Sequence, residues 1–163
     1  MAGGPDKKQI LKLLQAHVTA DLETMSAAQR TVVDGATHEE NRPENDKDTR
    51  ALEQSYLARG QALRVVELQD ALNKLKALEL RQFSATTAIG LSALVAVDDG
   101  REVAHYFIAP AGGGLRLQLA GAEVRVVTPQ APIARALLGK FEGDDLELRT
   151  PQGVTECSIT SVG

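Results

Sequence analysis

The chain has 163 residues, 43% of them apolar and 25% charged, and its net charge is −4. That is one ordinary domain or two small units: too short for a large enzyme, and too apolar for a disordered chain. One cysteine excludes a disulfide framework and paired-cysteine zinc sites, the acidic balance excludes a general nucleic-acid coat, and three Phe, two Tyr and no Trp argue against a base-stacking platform or an aromatic-lined pocket.

No apolar run approaches the roughly 20 residues of a bilayer span, so no membrane association is expected. Met1 to Lys8 shows neither an apolar core nor a cleavage signature, so no secretion signal is expected and the cytoplasm is the expected compartment. Between Asp6 and Leu80 there is one proline, Pro43, and two glycines, Gly35 and Gly60. Beyond residue 84 glycine and proline recur, and Val, Ile and Leu alternate with polar residues. The first part therefore reads as helix and the second as short strands.

The first helix is expected from Asp6, whose carboxylate can cap the amide of Gln9. Its apolar stripe is Ile10, Leu11, Leu14, Val18, Leu22, Met25, Val32 and Val33. A polar stretch from Asp34 to Arg42 reads as the joint. The second helix is expected from Pro43, a good first-turn residue, with the stripe Leu52, Tyr56, Leu63, Val66, Leu72 and Leu75, widened by Leu57, Leu68 and Leu78. Two long stripes joined by a short polar tip predict an antiparallel helical hairpin of coiled-coil type over residues 1–80, with its tip near 38–48.

The remainder, residues 84–163, predicts strands at Ser92–Val97, Val103–Ile108, Leu115–Leu119, Glu123–Val127, Leu146–Arg149 and Thr155–Ser161, and a short helix at Ala131–Leu138 stopped by Gly139. The fold class is α+β: a helical hairpin, then an antiparallel sheet packed on a short helix. The glycine run Gly112–Gly114 has no Lys-Ser/Thr after it, so a hairpin turn is expected there and not a phosphate cradle. Cys157 sits in an alternating strand and reads as a buried structural thiol. The chemistry concentrates at the tip. Asp34, Glu39, Glu40, Glu44, Asp46 and Asp48 place six carboxylates within fifteen positions. They read either as a solvated loop with an acidic first helical turn, or as oxygen ligands for a magnesium ion shared with a partner.

The stretch Pro132-Ile133-Ala134-Arg135-Ala136-Leu137-Leu138-Gly139-Lys140, then Gly143-Asp144, then the hairpin Thr150-Pro151-Gln152-Gly153, resembles the C-terminal signature of the Gre transcript cleavage factors. Glu44-Asn45 resembles that family's Glu-Asn at the start of the second coiled-coil helix, and the likeness runs over nearly the whole chain in the same order. The resemblance implies an N-terminal antiparallel coiled coil and a C-terminal FKBP-like domain. It implies docking on the rim of the secondary channel of bacterial RNA polymerase, with the coiled coil inserted towards the active centre to stimulate cleavage of backtracked RNA. On that reading the protein is an accessory factor with no active site of its own. It is a monomer, nucleoid-associated through the polymerase, and its partners are the polymerase and the nascent RNA 3′ end. No cofactor is bound stably, and Mg²⁺ is shared with the polymerase.

The residues implied are Glu44, with Glu40 or Asp46, at the metal; Asn41, Arg42 and Asn45 at the tip; Ala131, Pro132 and Ile133 at the docking loop; and Arg30, Lys47, Arg50, Arg59 and Arg64 as RNA-guiding candidates. Two departures stand out. Asn41 replaces the Asp of the family's Asp-x-x-Glu-Asn pattern, and Ala131 replaces a serine before Pro132. The first leaves open a channel occupant that regulates without cleaving, and a coiled-coil interaction protein with another partner is a third reading.

Overall fold

The computed structural model describes residues 4–39 and 47–163, and among these the side chains other than those of 32–39 and 47–48. In chain order the elements are α1 (Lys7–Glu39), α2 (Lys47–Ala77), β1 (Leu94–Asp98), β2 (Val103–Ile108), β3 (Arg116–Leu119), β4 (Ala122–Val127), α3 (Pro132–Leu137), β5 (Asp145–Thr150) and β6 (Gly153–Val162). The two long helices, the strands and the short helix are those expected. The chain divides into two compact units, Met1–Gln15 with Lys74–Gly163, and Ala16–Asn73. The division thus runs through both long helices, whereas the sequence suggested a break near residue 80.

In the Ala16–Asn73 unit, α1 continues through Asp34, Gly35 and Ala36, where the sequence suggested a joint. The proposed start of α2 at Pro43 lies outside the described residues. The sheltered positions of α2 include Gln54, Ala58, Gln61, Val65, Leu68 and Leu72, and those of α1 include Val18, Leu22, Met25 and Gln29. Both sets alternate steps of four and three residues, the heptad rule of a two-helix seam. Of the large apolar residues expected on the α2 stripe, Leu68, Leu72 and Leu75 are buried, whereas Leu52, Tyr56, Leu57, Leu63 and Val66 are all more than half exposed. Leu52, Tyr56 and Leu63 lie two positions from the nearest seam residues, about 200° round the helix, and Val66 lies one beyond Val65. Beyond Val65, Leu68 and Leu72, the α2 side of the seam takes small and amide side chains, Ala58, Gln54 and Gln61. Gln61 illustrates the consequence, because its Oε1 is buried with no hydrogen-bond partner among the described residues. A buried, unsatisfied carbonyl costs about 1–3 kcal/mol. Gln61→Leu is therefore expected to raise the thermal midpoint by about 2–4 °C; an unchanged or lower midpoint in a melting experiment would show that the amide is satisfied.

In the other unit α1 begins where Asp6 Oδ1 accepts from the amide of Lys8 at 3.0 Å, one residue earlier than the expected Gln9. Six strands form one sheet in the order β3-β4-β2-β1-β6-β5. All pairings are antiparallel except β2 with β4, which run parallel. The link after β2 skips one strand position, β3 runs back along the sheet edge, and the tight turn Ala120-Gly121 brings β4 into the gap. Both turn residues have positive φ, 52° and 77°, the geometry of a two-residue hairpin turn. The glycine run Gly112–Gly114 is thus no hairpin turn, since β2 and β3 are not neighbours; it is the link that spans the gap.

One sheet face carries Val95, Val97, Tyr106, Ile108, Cys157 and Ile159, and buries them with Ala134 and Leu137 of α3. The opposite face carries Phe107, Leu117, Val124 and Val126, all buried. Ile10, Leu14 and Leu75, from the helix ends in this unit, are fully buried too. Lys7 Nζ donates to the backbone oxygens of Arg81 and, at 3.2 Å, Gly163, and sits 5.0 Å from the Phe83 ring centroid. Partial burial there pulls its pKa down.

Candidate functional site

The tip residues Glu40, Asn41, Arg42, Glu44, Asn45 and Asp46 lie outside the described residues. Of the basic candidates, Lys47 is the first residue of α2. Arg30, Arg50, Arg59 and Arg64 have exposed side chains. Arg30 Nε donates to the Ser26 carbonyl at 3.4 Å, and Arg64 pairs with Glu67 at 3.3 Å. Arg50 and Arg64 are fourteen positions apart and fall near one side of α2, whereas Arg59, nine from Arg50, falls on the opposite side. The three do not form one row.

The loop expected to dock joins β4 to α3. Val127 ends β4, and the amide of Ala131 donates back to the Thr128 carbonyl at 3.0 Å. Pro132 follows at the first position of α3, where a fixed φ and a missing N–H cost nothing. Ala131 is the N-cap and makes no side-chain capping bond, the direct consequence of alanine in place of a hydroxyl residue. Pro132 is exposed, while Ile133 packs on the core beside Ala131. Of the three proposed docking residues, Pro132 is the one presented outward and the other two hold it there.

Next to this loop is a cleft of about 480 Å³ whose lining includes Ala131, Thr128, Tyr106, Leu115, Arg116 and Arg125. Sequence reading missed it, because its two arginines lie on different strands. Arg116 and Arg125 are direct cross-strand partners, as are Tyr106 and Arg125, so all three share a face. Arg125 Nε donates to Glu123 Oε1 at 3.0 Å, which favours the charged guanidinium, and Arg116 approaches the same oxygen at 3.7 Å. The remote signal was the alternation of Arg116 with Leu117 and of Arg125 with Val124 and Val126, which places both arginines on one side of adjacent strands.

A second cleft, about 810 Å³, is lined in part by Asp98, Asp99, Asp145, Glu147, Glu156 and Cys157. Burial pushes the Cys157 thiol pKa up, and the neighbouring Asp99 and Asp98 charges add to this, which suits a structural thiol and not a nucleophile. Among the described residues no three His, Cys, Asp or Glu side chains are placed to hold a metal ion, and no helix is long and apolar enough to cross a membrane.

The family model described as transcription elongation factor, GreA/GreB, C-terminal matches residues 118–163. A transcription elongation factor GreA of Xanthomonas axonopodis pv. citri is 30% identical over 121 residues, covering 73% of this chain and 71% of that protein. A GreA of Sulfurovum sp. is 28% identical over 161 residues, covering 96% and 94%. Among solved structures, the GreA factor homolog 1 protein of Thermus thermophilus is 21% identical, with 91% of this chain and 94% of that one covered and a TM-score of 0.38.

Proposed function

This chain belongs to the GreA/GreB family of transcription elongation factors, and from that premise we propose that it binds RNA polymerase and stimulates hydrolysis of backtracked RNA in the polymerase's own active site. It acts as an accessory factor and performs no chemistry alone. The observation that carries the reading is the docking loop: Pro132 exposed at the start of α3, inside the segment that matches the family model. The polymerase rim is the proposed partner of that loop, the nascent RNA 3′ end is the substrate of the stimulated reaction, and the cytoplasm is the compartment.

The tip carries the second half of the proposal. Glu44, Glu40 and Asp46 offer anionic oxygens, the donor chemistry that Mg²⁺ takes, and they would hold a magnesium ion together with the polymerase. When bound, that ion supplies activation of water and neutralisation of developing charge. The chain's own residues would bring the ligands; Arg42, beside Asn41, adds a cation that works against their negative charge. Exposed Arg30, Arg50, Arg59 and Arg64, with Lys47, are proposed to guide the RNA.

Asn41 and Arg42 also motivate a second reading, in which the same docking places a tip too weakly anionic for the metal, and the factor competes for the channel without cleaving. One assay separates the two. Cognate polymerase halted in a backtracked complex is mixed with the protein and Mg²⁺ at neutral pH, and the labelled RNA is followed. Shortening from the 3′ end establishes stimulation. No shortening, with inhibition of an added cleavage-active GreA, establishes the competitor, and Asn41→Asp is then expected to create activity. No effect in either arm rejects both readings.

A further inference from the structure

The helix α3 covers only part of its sheet face. It buries Tyr106, Ile108 and the residues of β1, β6 and β5 on that side, but the β3–β4 end of the same face stays open. The open end is the cleft of about 480 Å³ beside Ala131, and the next residue along the chain is the exposed Pro132. Its floor is apolar, made by Leu115, Ala131 and the Tyr106 ring. Two guanidiniums line its outer side, and Glu123, just beyond the lining, reaches Arg125 at 3.0 Å and Arg116 at 3.7 Å. That leaves one positive charge in excess, on a chain whose net charge is −4. The Arg116 side chain is 65% exposed, so its donors are free to take another acceptor. The Arg125 guanidinium carbon lies 5.9 Å from the Tyr106 ring centroid, which steadies it at the cleft edge.

Resting on the reading that the docking loop meets RNA polymerase, we infer that this cleft is a further part of the docking surface and receives a polymerase segment bearing a carboxylate beside an apolar side chain. Charge complementarity selects that occupant. An acidic group satisfies the excess charge of the Arg116–Arg125 pair, and the apolar side chain fills the floor next to Ala131. Glu123 acts as an internal competitor for the same guanidiniums, so it limits the affinity.

The test measures binding of the full chain and its variants to purified cognate RNA polymerase across a salt series. Arg116→Ala is expected to weaken binding about 3–10-fold with a shallower salt dependence, and Arg116→Glu to weaken it further. Glu123→Gln is expected to tighten binding a few-fold, about 2–5, because it releases both arginines. That gain is one a merely structural role would not produce. Thermal midpoints of all variants are compared with the parent, and since Arg116 is largely exposed its replacement leaves folding intact. Wild-type binding combined with unchanged affinity in Arg116→Glu and Glu123→Gln overturns this inference alone. Absence of wild-type binding overturns the polymerase reading beneath it.

Discussion

Glu44→Gln is expected to lower the rate of transcript cleavage by about a hundredfold while leaving polymerase affinity within about twofold. Glutamine keeps the length and shape of glutamate, so any packing survives. What changes is charge: a carboxylate gives Mg²⁺ an anionic oxygen, whereas an amide gives a neutral one with a competing donor beside it. In the family pattern an Asp stands three residues before the Glu-Asn pair; here Asn41 holds that place and Arg42 follows it. Glu44 is therefore the anion aligned with the pattern, with Glu40 and Asp46 as its neighbours. Glu40→Gln should cost less, since Glu44 and not Glu40 is the carboxylate aligned with the family pattern. The measurement is the cleavage rate in a backtracked complex, run beside a binding titration. Full-rate cleavage by Glu44→Gln would remove the metal role from the tip. Loss of binding in parallel with cleavage would instead make Glu44 a docking residue.

Much of this architecture was legible from periodicity, and the places where it was not share a cause. Strand positions came through because alternation and turn residues are local signals: Asp98, Asp99 and Gly100 mark the β1–β2 turn, where Asp99 Oδ1 accepts from the amides of Arg101 and Glu102 and its carboxyl pKa falls accordingly. The parallel pairing of β2 with β4 has no local mark, because it depends on which gap a later strand fills. The Ala120-Gly121 turn escaped because alanine seldom takes positive φ. On α2 size and hydrophobicity select Leu68 and Leu72 correctly and Leu63 and Val66 wrongly, because a helix pair also accepts small side chains: Ala58 and Gln61 lie inward while Leu63 and Val66 face out. Hydrophobicity alone ranks those positions the wrong way round. At the site, Pro132 was legible because the motif is contiguous. The arginine cleft was not, since it assembles residues from two strands through a register the sequence does not state.

The glycine link offers the sharpest stability test. Gly112→Ala is expected to destabilise the protein by about 3 kcal/mol, lowering the thermal midpoint by about 10 °C. Two costs add. Gly112 has φ of +81°, a conformation that charges an L side chain about 1–2 kcal/mol. A Cβ there would also lie 2.6 Å from Leu14 Cδ1 and 3.4 Å from Leu14 Cγ. Leu14 is fully buried, so its methyl has no open side to turn to. Gly114→Ala is the control for the first cost: φ is +93°, with open space around the would-be Cβ, so about 1–2 kcal/mol is expected. Leu14→Ala removes the obstacle but leaves a cavity, at about 2–5 kcal/mol. Combined, Gly112→Ala and Leu14→Ala should cost less than the sum of the two, because the new Cβ enters the space the leucine vacates. Strict additivity in melting experiments would mean that the glycine serves backbone conformation alone. A deficit of about 1 kcal/mol or more would establish that the link between β2 and β3 is glycine because the base of α1 presses against it.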